Sequence, residues 1–319
     1  MDKNMNISKY KVFLRPAMIV VPFAAGVLFQ LLTHSTWRTT SGVNISMLCI
    51  RLSLMVIFYF VILKIDFRKL APRREHLKIL AANLLLGTVP FALLSCAGYR
   101  SLALAAFFVG ITPTANAAPV VMDFLGGKVE FVLTGFAVTN VFITLALIGL
   151  IPLVTGNFNA SFVGAVAGQI ALLLLVPAVC GVLTRWICAK LGRKAPSIPS
   201  LASFSLWSFT LFVISAQSAL FFQTHPEMTL KTALLVALIS FLLCAVNFTL
   251  GKLIGGREYR RESSQTLGQK NTTLTIFLAL SFGTPESALG PVFYVLWHNL
   301  WNAFQMFRYD KSKTKSERN

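Results

Sequence analysis

The sequence predicts an all-α polytopic membrane protein of ten transmembrane helices, arranged as two inverted five-helix repeats with discontinuous fourth and ninth helices. Three observations predict it: bulk composition, a two-sided alternation of basic residues, and two interrupted apolar runs at matching places. The 319 residues are 55% hydrophobic and 13% charged, with a mean hydropathy of +0.70. A soluble chain of this length needs far more polar surface to cover its core. Long apolar runs recur along the whole length, and no polar stretch is large enough for a separate soluble domain. The expectation is a single membrane domain over 1–319, with a first repeat at 1–155, a second at 156–308 and a cytoplasmic tail at 309–319.

A hydrocarbon core about 30 Å thick takes roughly 20 helical residues to cross. Runs of that kind lie at 16–33, 45–65, 77–97, 99–127, 131–154, 162–188, 198–222, 230–254, 262–282 and 286–307. The start, MDKNMNISKYKVF, enters the first run without a small-residue cleavage site, which disfavours a removable signal peptide. Basic residues test the set independently. Lys3, Lys9, Lys11 and Arg15, then Lys64, Arg68, Lys69, Arg73, Arg74 and Lys78, fall on one side. So do Lys128, the group Arg185, Lys190, Arg193 and Lys194, and the group Lys252, Arg257, Arg260 and Arg261. The last segment adds Arg308, Lys311, Lys313, Lys315 and Arg318. The opposite side holds only Arg38, Arg100 and Lys231. The positive-inside rule then puts both termini in the cytoplasm. A bacterial inner membrane is the expected setting for so compact a form. The net charge of +18 follows loop ends, which calls for anionic lipid and not for nucleic acid.

Two spans cannot be continuous helices. In the fourth, the run Ser101 to Ile111 enters Thr112-Pro113-Thr114-Ala115-Asn116-Ala117-Ala118-Pro119 before resuming through Asp123. Two prolines remove two backbone donors and clash with the preceding turns. In the ninth, Thr272 to Phe282 is only about 16 Å of helix, so Gly268-Gln269-Lys270-Asn271 is drawn into the membrane. The breaks begin near 112 and 268, about half the chain apart. Paired interruptions in corresponding helices of inverted halves point to a transporter binding site, because free backbone groups are tolerated at depth only in a cavity or inside protein.

At these residues the chain resembles the bile acid:sodium symporter family, whose fourth and ninth helices unwind and cross at the membrane centre. TPTANAAP falls where the family carries a proline, small and hydroxyl residues and an Asn, and GQKN where it carries a Gly and a Gln-Asn pair. Trp297-His298-Asn299 matches a Trp-His-Asn pattern of the last helix. The resemblance implies a secondary active or facilitative transporter of small organic anions working by alternating access. It implies substrate contacts from Asn271 and His298; at the breaks themselves Thr112, Pro113, Thr114, Asn116 and Gln269 are further candidates for substrate binding, and any of these polar groups could equally satisfy freed backbone groups. The departures concern sodium. The family's Ser-Asn pair becomes Ala118 and Pro119, its fifth-helix hydroxyls become Val132 and Phe136, and its ninth-helix Glu and Gln become Thr266 and Lys270. Sodium, a hard cation, needs oxygen ligands, and an ammonium repels it. The expectation is a carrier without sodium at those sites; a sodium-coupled symporter and a non-transporting sensor on the same fold are the alternatives.

Lys270 is the expected coupling residue, as a fixed positive charge in the place of the ion or as a titrating group, with Thr266 and Asp123 beside it. A lysine near the start of that span could also snorkel to the headgroups. Asp123 is a candidate partner for Lys270 or Lys128. Arg51, early in the second span, is placed to reach the external headgroups. Asn83 and Asn140 read as helix–helix glue. Cys49, Cys96, Cys180, Cys188 and Cys244 lie in apolar runs without metal-ligand spacing. His34, His76, His225 and His298 have no catalytic neighbours in sequence. Neither an enzyme nor a cofactor or metal is expected. The expected partners are a small organic anion and membrane lipid.

Overall fold

A computed structural model describes residues 21–37, 44–64, 70–193, 196, 200–224 and 230–316. Lys3, Lys9, Lys11, Arg15, Arg38, Arg68, Lys69, Lys194, His225 and Arg318, with the first five residues of the first span, lie outside the described residues.

Among the described residues the architecture is helical, without a named strand. In chain order the helices are α1 (Val21–Thr33), α2 (Ile45–Lys64), α3 (Arg74–Cys96), α4 (Arg100–Gly110), α5 (Ala118–Phe124) and α6 (Val129–Thr155). They continue as α7 (Ala160–Lys190), α8 (Ser200–Thr224), α9 (Leu230–Gly255), α10 (Arg260–Gly268), α11 (Thr272–Phe282) and α12 (Pro285–Ser316). Five of them, α2, α3, α6, α7 and α9, are long and apolar enough to cross a membrane. Their outer faces are hydrocarbon: on α7, Leu175, Val179, Val182, Leu183 and Trp186 are all exposed. A helix apolar all round suits lipid, not water. The protein is therefore an integral membrane protein.

Local chemistry sets the element ends. The Asn159 side chain accepts from the Ser161 amide at 2.8 Å and caps α7. Gly156, at φ +75°, closes α6 in the left-handed conformation. The last helix differs from expectation: it runs on to Ser316, so most of the segment assigned to a tail is helical. The reason is compositional. Tyr309 to Ser316 carries three lysines, which end an apolar run but favour the C-terminal end of a helix.

The helices pack in two groups. α2 lies against both α7 and α8, whereas α3 to α6 and α9 to α12 surround the two interrupted pairs α4/α5 and α10/α11. Contacts between the groups run through α2 with α11, α6 with α7, and α8 with α12. At one end of the second group a polar knot ties separate elements together. Lys128 pairs with Glu258 at 3.5 Å, the Lys128 amide donates to Glu262 at 3.0 Å, and Phe131 stacks on Tyr259 at 4.6 Å. The Arg73 guanidinium covers the same tyrosine ring.

Candidate functional site

Both interrupted pairs break for reasons visible in the chain. α4 ends at Gly110, where a Cβ would lie 1.9 Å from the Leu86 carbonyl oxygen of α3. α10 ends at Gly268, where a Cβ would meet the Phe248 ring of α9 at 2.4 Å. Glycine lets the chains approach this closely at both places. Pro113 then bars helical continuation, while Pro119 sits in the first turn of α5, where its missing N–H costs nothing.

The two breaks meet. Thr114 and Lys270 form an antiparallel bridge, flanked by the Ala115 amide donating to the Gln269 carbonyl and the Asn271 amide donating to the Pro113 carbonyl, both at 2.8 Å. The backbone groups freed by the breaks are thus satisfied partly by each other, as a low-dielectric interior requires. Neighbouring side chains satisfy more of them. Asn140 Nδ2 donates to the Thr114 carbonyl at 2.8 Å, and Tyr294 donates to the Gly268 carbonyl at 2.7 Å. Thr114 Oγ1 donates to the Thr266 carbonyl at 2.6 Å and accepts from Thr139 Oγ1 at 2.9 Å. Thr139 Oγ1 also accepts the Thr114 amide. Thr112 and Thr275 share a hydroxyl contact at 2.9 Å across the crossing.

Lys270 lies in the middle of this array, 1% exposed. Its ammonium donates to Asn83 Oδ1 of α3 and to the Gly110 carbonyl at 3.2 Å. Gly110 is the last residue of α4, so the Lys270 Nζ stands at the partial negative charge of a helix C-terminus. The snorkelling alternative is overturned, because the side chain runs inward to α3 and α4. Asp123 is exposed near the end of α5 and is not among the hydrogen-bond or ion-pair partners of Lys270.

Of the other candidate residues, Thr112, Pro113, Thr114, Thr266 and Gln269 are buried at the crossing, and Asn116 and Asn271 are partly exposed there. Gln269 Oε1 is buried without a hydrogen-bond partner, and so is His298 Nδ1. His298 packs edge-on to Tyr294 at 5.5 Å, one side chain away from the Gly268 carbonyl. Four of the six positions where the family resemblance places sodium ligands, Ala118, Pro119, Val132 and Phe136, carry apolar side chains. Ala118 and Val132 join a buried cluster with Ile79, Met122, Phe131 and Leu267, and Phe136 lies in the main apolar core. Thr266 packs its methyl group on Gly135, where a Cβ would come within 2.3 Å of it.

Sequence reasoning missed four participants: Thr139, Thr275, Tyr294 and the Gly110 carbonyl. It also assigned Asn83 and Asn140 to general helix contact, whereas each holds one side of the crossing. The available signal was an amide in an otherwise apolar span. Arg51 makes a contact that the sequence did not announce. Its guanidinium carbon lies 5.7 Å from the centroid of the Phe277 ring, and its Nε is buried without a partner. The residue is partly exposed, with its guanidinium beside Phe277 of α11.

Comparison with protein-family models and with curated proteins finds no match.

Proposed function

We propose that this protein is a transporter of small organic anions that works by alternating access, similar to the bile acid:sodium symporters but without sodium at their usual positions. The observation that carries the reading is the crossing itself, in which the Lys270 ammonium occupies the meeting point of two broken helices. A binding site near the bilayer centre, built from half-helix ends, is how many secondary transporters hold ionic cargo.

Three features support a ten-span inverted repeat. Counting α4/α5 and α10/α11 as one span each gives ten units in chain order. Three correspondences share an offset of 156 residues: α3 and α9 begin at Arg74 and Leu230, α6 and α12 at Val129 and Pro285, and the bridge joins Thr114 to Lys270. Packing follows the same correspondence, since α3 packs on α4 and α6 as α9 packs on α10 and α12. An odd number of spans per half inverts the second half. Basic residues at alternate connections favour cytoplasmic termini. The two helix groups, joined through few elements, are suited to rock against each other about the crossing.

In this reading Lys270 supplies the positive charge that a captured ion would supply, and its potential favours an anionic cargo. Uptake by proteoliposomes under independently imposed sodium and proton gradients tests it. Anion uptake indifferent to sodium is expected. Sodium-dependent uptake that disappears on changing Thr266 or Asn271 contradicts it.

A further inference from the structure

The seam between the two helix groups carries a second charge. Arg51 is the seventh residue of α2, about 9 Å along the helix from its first residue. A guanidinium at such a depth is costly unless it is paired or solvated, so it marks a functional position by default. Among the described residues Arg51 makes no ion pair; that interaction belongs to Lys128 and Glu258. It lies against the ring of Phe277, which is fully buried. Phe277 stands about 7.5 Å along α11 from Thr272, between the crossing and the outer end of α11. The neighbouring residues Ile276 and Leu280 line a small cleft with Gln217 and Ser218 of α8 and Ala288 of α12. α2 and α8 are joined close by, through Ser46 Oγ donating to Gln217 Oε1 at 2.5 Å. Two of the three Lys270 donors are committed to Asn83 and Gly110, but among the described residues no donor of Arg51 is committed, and its Nε is buried. A planar guanidinium fork matches a carboxylate or phosphate in bidentate fashion.

We propose that Arg51 binds the anionic group of the cargo on the outer half of the path, ahead of the Lys270 crossing. This rests on the transport reading. The chemistry it selects is an oxyanion, which a carboxylate cargo or a lipid headgroup phosphate could supply.

The test compares wild type with Arg51→Gln and Arg51→Lys in nanodiscs of phosphatidylcholine and, separately, phosphatidylglycerol. Benzoate, pyruvate and cholate are titrated against thermal stability, with methyl benzoate as the neutral control, and uptake of the same three anions is measured in proteoliposomes. Arg51→Gln is expected to weaken carboxylate stabilisation about tenfold or more in both lipids, the loss of a charged hydrogen bond. Its melting temperature without anion is expected to stay put, and Arg51→Lys to recover part of the affinity. Wild-type carboxylate affinity in Arg51→Gln overturns the proposal while leaving transport by the wild type intact. A change confined to phosphatidylglycerol retention also overturns it, making Arg51 a lipid anchor. Absence of both stabilisation and uptake in the wild type overturns the transport reading and this proposal together. If Arg51→Gln does not fold, phenylglyoxal modification of Arg51 in the wild type decides. Protection by benzoate is expected, and modification unaffected by any of the three anions overturns the proposal.

Discussion

The two broken helices solve one problem with different residues. The first, between α4 and α5, is neutral: prolines stop the helix, and hydroxyls and an amide from Thr139 and Asn140 hold Thr114 in place. The second, between α10 and α11, carries the charge, and leaves Gln269 Oε1 without a partner. The difference teaches a division of labour. The first break is a receptor whose freed Gly110 carbonyl accepts the ammonium, and the second delivers it.

Replacing Lys270 breaks that comparison most severely. Lys270→Ala leaves Asn83 Oδ1 and the Gly110 carbonyl buried and unpaired, at about 1–3 kcal/mol for each. Anion uptake is expected to fall about 100-fold or more, equivalent to ~3 kcal/mol, while size-exclusion profiles show a folded protein. Wild-type uptake in this variant would remove Lys270 from the mechanism.

The two glycines sharpen the contrast. Gly110→Ala drives a methyl group into backbone, 1.9 Å from the Leu86 oxygen, whereas Gly268→Ala meets the Phe248 ring, a side chain that can turn. Thermal melts are expected to show Gly110→Ala destabilised by about 3 kcal/mol and Gly268→Ala by about 1–2 kcal/mol, within the range for overpacking. Equal losses would erase the distinction. Thr114→Val comes next. It removes the hydroxyl that donates to the Thr266 carbonyl and accepts from Thr139, for an expected loss of about 1–3 kcal/mol in the same assay.

Much of this was legible in the chain because hydropathy and proline act locally. Pro113 and Pro119 announce the first break, and the shortness of Thr272 to Phe282 announces the second. The partners were not legible. Asn83 is 187 residues from Lys270, and which amide meets the ammonium depends on how α3 leans on α4, not on either local pattern. The contact of Arg51 with Phe277 was hidden for a related reason. The depth of Arg51 reads from sequence, but the side it faces is set by α11 packing on α2. The helical extension to Ser316 escaped notice because charge ends a span before it ends a helix.

The smallest expected effect lies far from the crossing. Hydrogen bonding from Tyr259 and the Lys128 ammonium hold the Glu258 carboxyl below the usual carboxylate range. Its contribution to stability is therefore present above the ordinary carboxylate range and is lost as pH falls through the depressed one. Glu258 is well exposed, so Glu258→Gln or high salt is expected to shift the melting temperature barely at neutral pH. A large shift would mean that the Lys128 knot governs the stability of the second helix group.

Disulfide trapping tests the crossing most directly. With the five native cysteines replaced, Ala115→Cys and Gln269→Cys face each other across the antiparallel bridge, and such opposed residues sit about 4.5–5.5 Å apart at Cα, within the range a disulfide spans. A crossing gives near-complete oxidation of this pair by copper phenanthroline, and none for a control pairing Ala115→Cys with Gly156→Cys. If the first pair stays reduced in folded, membrane-inserted protein, the two breaks do not meet, and no ammonium stands between them.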